Sequence, residues 1–177
     1  MFVQPIFFNP WTAPLVWTGM MLEYGKRFAS PTDVAKTNLD GIRFEEIEEG
    51  MTFVLKRTIT SADVSAFARL TGDRNRVHLD DEYARARGWP GGRIAHGMLV
   101  ASYISAALSE FPGDGTIYVS QTLDFAKPVY MNKEVSVTLC AKGKTDKPRR
   151  VFFDCACSVD GEPVLRGEAT ITQRRET

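Results

Sequence analysis

The sequence predicts an α+β fold in which an antiparallel β-sheet wraps one long buried helix. Three observations carry this. Residues 97–108 are small and apolar nearly all round (Met98, Leu99, Val100, Ala101, Ile104, Ala106, Ala107, Leu108), as in a helix packed on every side. Beyond residue 116 the apolar positions recur at period two, as in Val135/Val137/Leu139 and Val151/Phe153/Cys155/Cys157/Val159. Asp160-Gly161-Glu162 joins two of these stretches with a strong hairpin signal. A helix followed by a meandering sheet buries both apolar surfaces if the sheet closes over the helix.

In chain order, residues 1–43 differ from the rest and form an extension. No charge precedes Glu23, and Phe7, Phe8, Trp11, Trp17, Met20 and Met21 are bulky. Asn9 as a cap ahead of Pro10 predicts a helix over residues 10–28. A secretory signal would begin with basic residues and a clean apolar run, whereas Pro5, Pro10 and Pro14 interrupt this one. A membrane-spanning helix, which needs roughly 20 apolar residues, does not fit either. The arm is expected to pack on its own domain or a sister subunit, or to dock on a partner, a membrane or an apolar body such as a polyester storage granule.

The second region, residues 44–177, opens with a strand over 51–59, rich in β-branched residues. Thr60-Ser61-Ala62-Asp63 starts a short helix, with Val64, Phe67, Ala68 and Leu70 on one face and Gly72 as its end. A loop then leads to a helix over residues 80–87, which Gly88-Trp89-Pro90-Gly91-Gly92 breaks. Phe111-Pro112-Gly113-Asp114-Gly115 stops the long helix. Strands follow over 116–125, 134–142, 150–159 and 164–173, with turns at 131–133, 144–148 and 160–162.

Composition narrows the function. Lys plus Arg and Asp plus Glu balance at 22 each, so a polyanionic partner such as nucleic acid is not expected. The three cysteines, Cys140, Cys155 and Cys157, match neither a disulfide framework nor a zinc site, and read as small apolar strand residues of a cytoplasmic protein.

The chemistry concentrates in Gly72-Asp73-Arg74-Asn75-Arg76-Val77-His78-Leu79 and in Arg93-Ile94-Ala95-His96-Gly97-Met98, which between them hold both histidines of the chain. A carboxylate and an imidazole contacting one water can deprotonate it and return a proton elsewhere. Asp73 and His78 are such a pair, with Asn75 placed to pin their loop. Metal binding is the poorer reading, for want of a third ligand at a convincing spacing. Gly97 would stand at the N-terminus of the buried helix, where a free backbone N–H and the helix dipole favour a developing oxyanion. Together these suggest addition of water to, or its removal from, a carbonyl-conjugated double bond.

The stretch from Phe67 to Asp80 resembles the signature of MaoC-like R-specific enoyl-CoA hydratases, Gly-Asp-x-Asn-Pro-x-His. Arg93-Ile94-Ala95-His96-Gly97-Met98-Leu99-Val100-Ala101-Ser102 and Phe125-Ala126-Lys127-Pro128-Val129 are similar to that family as well. The resemblance covers residues 44–174. It implies a hot-dog fold, usually dimeric, with the site near the subunit interface and no redox cofactor or metal. It implies that Asp73 and His78 form the catalytic pair, that Asn75 orients their loop, that Gly97 N–H holds the thioester oxygen and that Ser105 helps shape the acyl site. The implied reaction is reversible hydration of trans-2-enoyl-CoA to (R)-3-hydroxyacyl-CoA. The rivals are a dehydratase acting on acyl-carrier-protein thioesters, thioester hydrolysis, and a non-catalytic partner subunit or targeting module. One departure is Arg76, where the family carries proline; it removes a fixed φ and adds a charge that can meet a substrate phosphate or simply face solvent.

Overall fold

The computed structural model describes residues 42–173. The arm and its expected helix lie almost entirely outside the described residues.

Strand β1 (Thr52–Thr58) leads into helix α1 (Ser61–Thr71). Thr60 caps α1 with a reciprocal box: its Oγ1 accepts Asp63 N–H at 3.2 Å, and Asp63 Oδ2 accepts Thr60 N–H at 2.8 Å. Gly72 ends the helix in the left-handed region, φ 81°, a conformation that glycine adopts without a Cβ penalty. Two short helices follow, α2 (Arg76–Leu79) and α3 (Asp81–Ala86). The first of these was expected to be loop. Asn75 makes it helical by accepting Val77 N–H on its side-chain oxygen, and Asp80 caps the next helix through Tyr83 N–H.

Helix α4 (Gly97–Glu110) is the long central helix. Strands β2 (Thr116–Gln121), β3 (Asp124–Phe125), β4 (Glu134–Asp146), β5 (Arg149–Val159) and β6 (Glu162–Gln173) complete the chain. The sheet runs β1-β4-β5-β6-β2, all antiparallel, with β3 also on β6. The stretch expected as one strand over 116–125 breaks in two, because Thr122 turns back to exchange hydrogen bonds with Glu168 at 2.9 and 3.0 Å. The β4–β5 turn is tighter than expected, since pairing extends to Asp146↔Arg149. At the β5–β6 hairpin both Asp160 (φ 52°) and Gly161 (φ 80°) are left-handed, the geometry that matches strand twist.

Val100, Ile104, Ala107 and Leu108 of α4 pack against β1, β4 and β5, in one buried core that also holds Val137, Leu139, Phe153, Cys155, Cys157 and Ile171. The cysteines are free, and two of them belong to this core. Burial of α4 is one-sided, however. Met98, Ser102, Ser105 and Ser109 form an exposed stripe at helical spacing, which the small, mostly apolar composition of the helix does not reveal.

Candidate active site

The site grows from two backbone segments that meet in front of α4. The segment before α4 carries Ile94, which uses both backbone groups on the same short helix: its N–H donates to Val77 C=O at 3.1 Å, and its C=O accepts from His78 Nδ1 at 2.9 Å. Ala95 N–H holds the other side through Val129 C=O, 2.7 Å. Asp81 ties α3 to this segment through Arg93 N–H and Nε at 2.8 and 3.1 Å, and Arg93 reaches Ser61 Oγ at 3.2 Å.

A carbonyl only accepts, so the contact with Ile94 makes His78 Nδ1 the protonated nitrogen and leaves Nε2 as the basic one. His78 is half-buried, and its pKa is held below the ordinary 6.5, chiefly by burial. The hydrogen bond to Ile94 and the nearby Asp73 oppose this shift, while His96 adds to it. Asp73 is exposed; its Oδ1 accepts Asn75 N–H at 3.2 Å, an Asx turn that shapes the loop.

His96 belongs to the same cluster, and sequence reading did not assign it a role. One side-chain ligand atom from each of Asp73, His78 and His96 lies within 4.8 Å of the others. The His96 ring stacks on His78 with centroids 3.9 Å apart and planes 30° from parallel. Its other neighbour is Phe67, at 5.1 Å. Its Nε2–H donates to the Asp73 backbone C=O at 3.0 Å, and its Nδ1 is buried with no hydrogen-bond partner. Such an unsatisfied buried acceptor costs about 1–3 kcal/mol. The signal was present in the sequence: there are two histidines, one in each motif.

His96 thus supplies the third potential ligand that sequence spacing does not show, but the ring geometry disfavours a metal site. Ring lone pairs lie in the ring planes, and two nearly parallel stacked rings do not aim them at one ion.

Gly97 opens α4, and no acceptor for its N–H is present among the described residues. A Cβ at this position would fall 2.8 Å from the Phe125 ring, so the absence of a side chain is what lets β3 close over the helix start. Ser105 is exposed two turns further along, about 12 Å down the axis at 1.5 Å per residue, and stands apart from the cluster. Arg76 lies outside the cluster too; it pairs with Asp80 at 2.6 Å and covers the Tyr83 ring at 4.3 Å.

Residues 43–160 match the family described as MaoC like domain. The chain belongs to the MaoC-like family. A 3-hydroxybutyryl-CoA dehydratase of Methylorubrum extorquens is 46% identical over 129 residues, 72% of this chain and 82% of that protein. An (R)-specific enoyl-CoA hydratase of Rhodospirillum rubrum is 41% identical, over 72% of this chain and 89% of its own. Among solved structures, the R-hydratase PhaJ1 of Pseudomonas aeruginosa aligns with a TM-score of 0.71 at 40% identity, covering 77% of this MaoC-like chain and 88% of its own. The (R)-hydratase of A. caviae gives the same TM-score at 30% identity, covering 73% and 99%. The antiparallel sheet around α4 is therefore the hot-dog fold of this family.

Proposed function

We propose that this MaoC-like protein is a hydro-lyase that adds water reversibly across the double bond of a trans-2-enoyl thioester, giving the (R)-3-hydroxyacyl thioester. The observation that carries this reading is the approach of Asp73 and His78 within one cluster beside the start of α4. A water held between the carboxylate and His78 Nε2 loses one proton as its oxygen bonds to C3. A proton returned to C2 completes the addition, so nothing is oxidised and no redox cofactor is required. As negative charge moves onto the thioester oxygen, Gly97 N–H and the positive end of the α4 dipole stabilise it. Asn75 keeps the Asp73 loop in register by capping α2. Ser105, two turns along the exposed stripe, contacts the acyl chain instead of the reacting carbonyl.

Coenzyme A is the favoured thiol carrier, since the relatives at 46% and 41% identity are named for CoA thioesters. An acyl-carrier-protein substrate is the second reading, favoured by the 38% identical mitochondrial 3-hydroxyacyl-[acyl-carrier-protein] dehydratase of Arabidopsis thaliana. Spectrophotometric hydration of matched enoyl-CoA and enoyl-carrier-protein substrates tests both. Turnover on neither would overturn the assignment, and release of free thiol would redirect it to hydrolysis.

A homodimer is part of this reading. The edge strand β2 exposes Ile117, Tyr118 and Val119, and one of its sides has no partner strand among the described residues, which suits pairing with a second copy. So is the division of the chain near residue 43, where the family match begins. No helix among the described residues is long and apolar enough to cross a membrane, and a cytoplasmic address rests on the sequence reading alone.

The pH profile follows from the sign of the His78 shift. A lowered pKa means that the neutral ring survives to lower pH. Activity that needs Nε2 as a base is expected to fall on acidification with a kcat/KM midpoint below 6.5. A midpoint at or above 6.5 would mean that burial does not hold the ring's pKa down, and a decline as pH rises through this region would mean that His78 works in its protonated form.

A further inference from the structure

We propose that His96 is a positioning residue for water addition: one buried side chain that holds the Asp73 loop by a hydrogen bond and the His78 ring by stacking. This rests on the hydro-lyase reading above. His96 is only 2% exposed, so it acts through its neighbours rather than on substrate. Its two attachments go to the two members of the candidate pair. Nε2–H fixes the carbonyl of Asp73 at 3.0 Å, and the ring face carries His78 at 3.9 Å. Phe67, on the opposite element α1, gives the ring a further aromatic wall.

The choice of side chain supports a role beyond packing. A phenylalanine would fill the same space between Phe67 and His78 without burying an unpaired nitrogen. The chain instead carries an imidazole whose Nδ1 has no partner among the described residues. What the imidazole adds over phenylalanine is the donor to Asp73. Without it, the loop carrying the carboxylate loses its tie to the wall behind His78. The distance between the two reacting groups then varies, and a displacement on the order of 1 Å costs about 100-fold in rate.

The test compares His96→Phe, which keeps the ring and removes the donor, with His96→Gln, whose amide N–H can replace Nε2–H. For His96→Phe we expect kcat for enoyl thioester hydration to fall roughly 10- to 100-fold with KM little changed. His96→Gln should recover at least part of that loss at similar Tm. Parental kcat in the Phe variant, a change in KM alone, or a folded Gln variant no better than Phe would each overturn the proposal. A second measurement needs neither variant nor substrate. The ¹⁵N imidazole shifts of the parent protein should show His96 protonated at Nε2 and His78 at Nδ1. His96 protonated at Nδ1 would overturn the proposal. A parent protein inactive on every thioester would overturn the functional reading and leave this spectroscopic result standing.

Discussion

Asp73→Asn and His78→Ala are each expected to lower kcat for hydration by about 100- to 10,000-fold, the range lost with a general acid or base. Asp73→Asn is the cleaner variant. Its side-chain oxygen can still accept Asn75 N–H, and its backbone carbonyl still receives His96 Nε2–H, so the loop should keep its shape while losing its charge. Its Tm should stay near that of the parent. His78→Ala also deprives the Ile94 carbonyl of its donor and removes a ring from the stack, so a stability loss of about 1–3 kcal/mol should accompany the lost rate. Because the two groups handle one water, the double variant should be scarcely slower than the worse single one. Hydration kinetics with calorimetry on each variant check this; turnover near the parental rate in either single variant would remove the pair from the mechanism.

Gly167→Ala is expected to have the largest effect on stability. Gly167 pairs with Cys155 in the middle of the sheet, and the turn between β2 and β3 crosses directly above it. A Cβ there would collide with the backbone carbonyl of Thr122, which cannot swing aside as a side-chain tip would. The same turn is fixed by hydrogen bonds between Thr122 and Glu168 and from Gln121 Nε2 to the Thr122 carbonyl. Overpacking of this kind costs about 1–3 kcal/mol and sometimes more, so Tm should drop by roughly 5–10 °C. A parental Tm would mean that the Thr122 carbonyl does not lie over Gly167. Since β3 carries Phe125 onto Gly97, the variant should also lose hydration activity below its melting temperature.

The main elements were legible because each rests on a local signal. Thr60 with Asp63, Gly72, Asp160-Gly161 and the alternation in β5 are all short-range. Asp73, Asn75, His78 and Gly97 could be singled out because their spacing is itself a motif. The rest depended on tertiary contacts. The one-turn helix α2 is too brief to show a period, and the break at Thr122 comes from hydrogen bonds to a residue 46 positions away. The exposed serine stripe of α4 was invisible because serine and alanine both read as small. His96 was in view as a residue, but its stacking on His78 across 18 positions was not. Arg76, noted as a departure, makes contacts within its own turn and the next, with Asp80 and Tyr83.

The double use of the Ile94 backbone has a consequence for how such a site is inherited. The groups of Ile94 that orient His78 and anchor α2 are main-chain atoms, so replacements of the Ile94 side chain leave both hydrogen bonds available. Chain length is different. Adding or removing one residue between Ile94 and Gly97 would put the carbonyl, the stacking ring and the oxyanion donor out of register with one another. Sequence drift can therefore be broad at position 94, while the spacing from Ile94 to Gly97 stays under the tighter constraint.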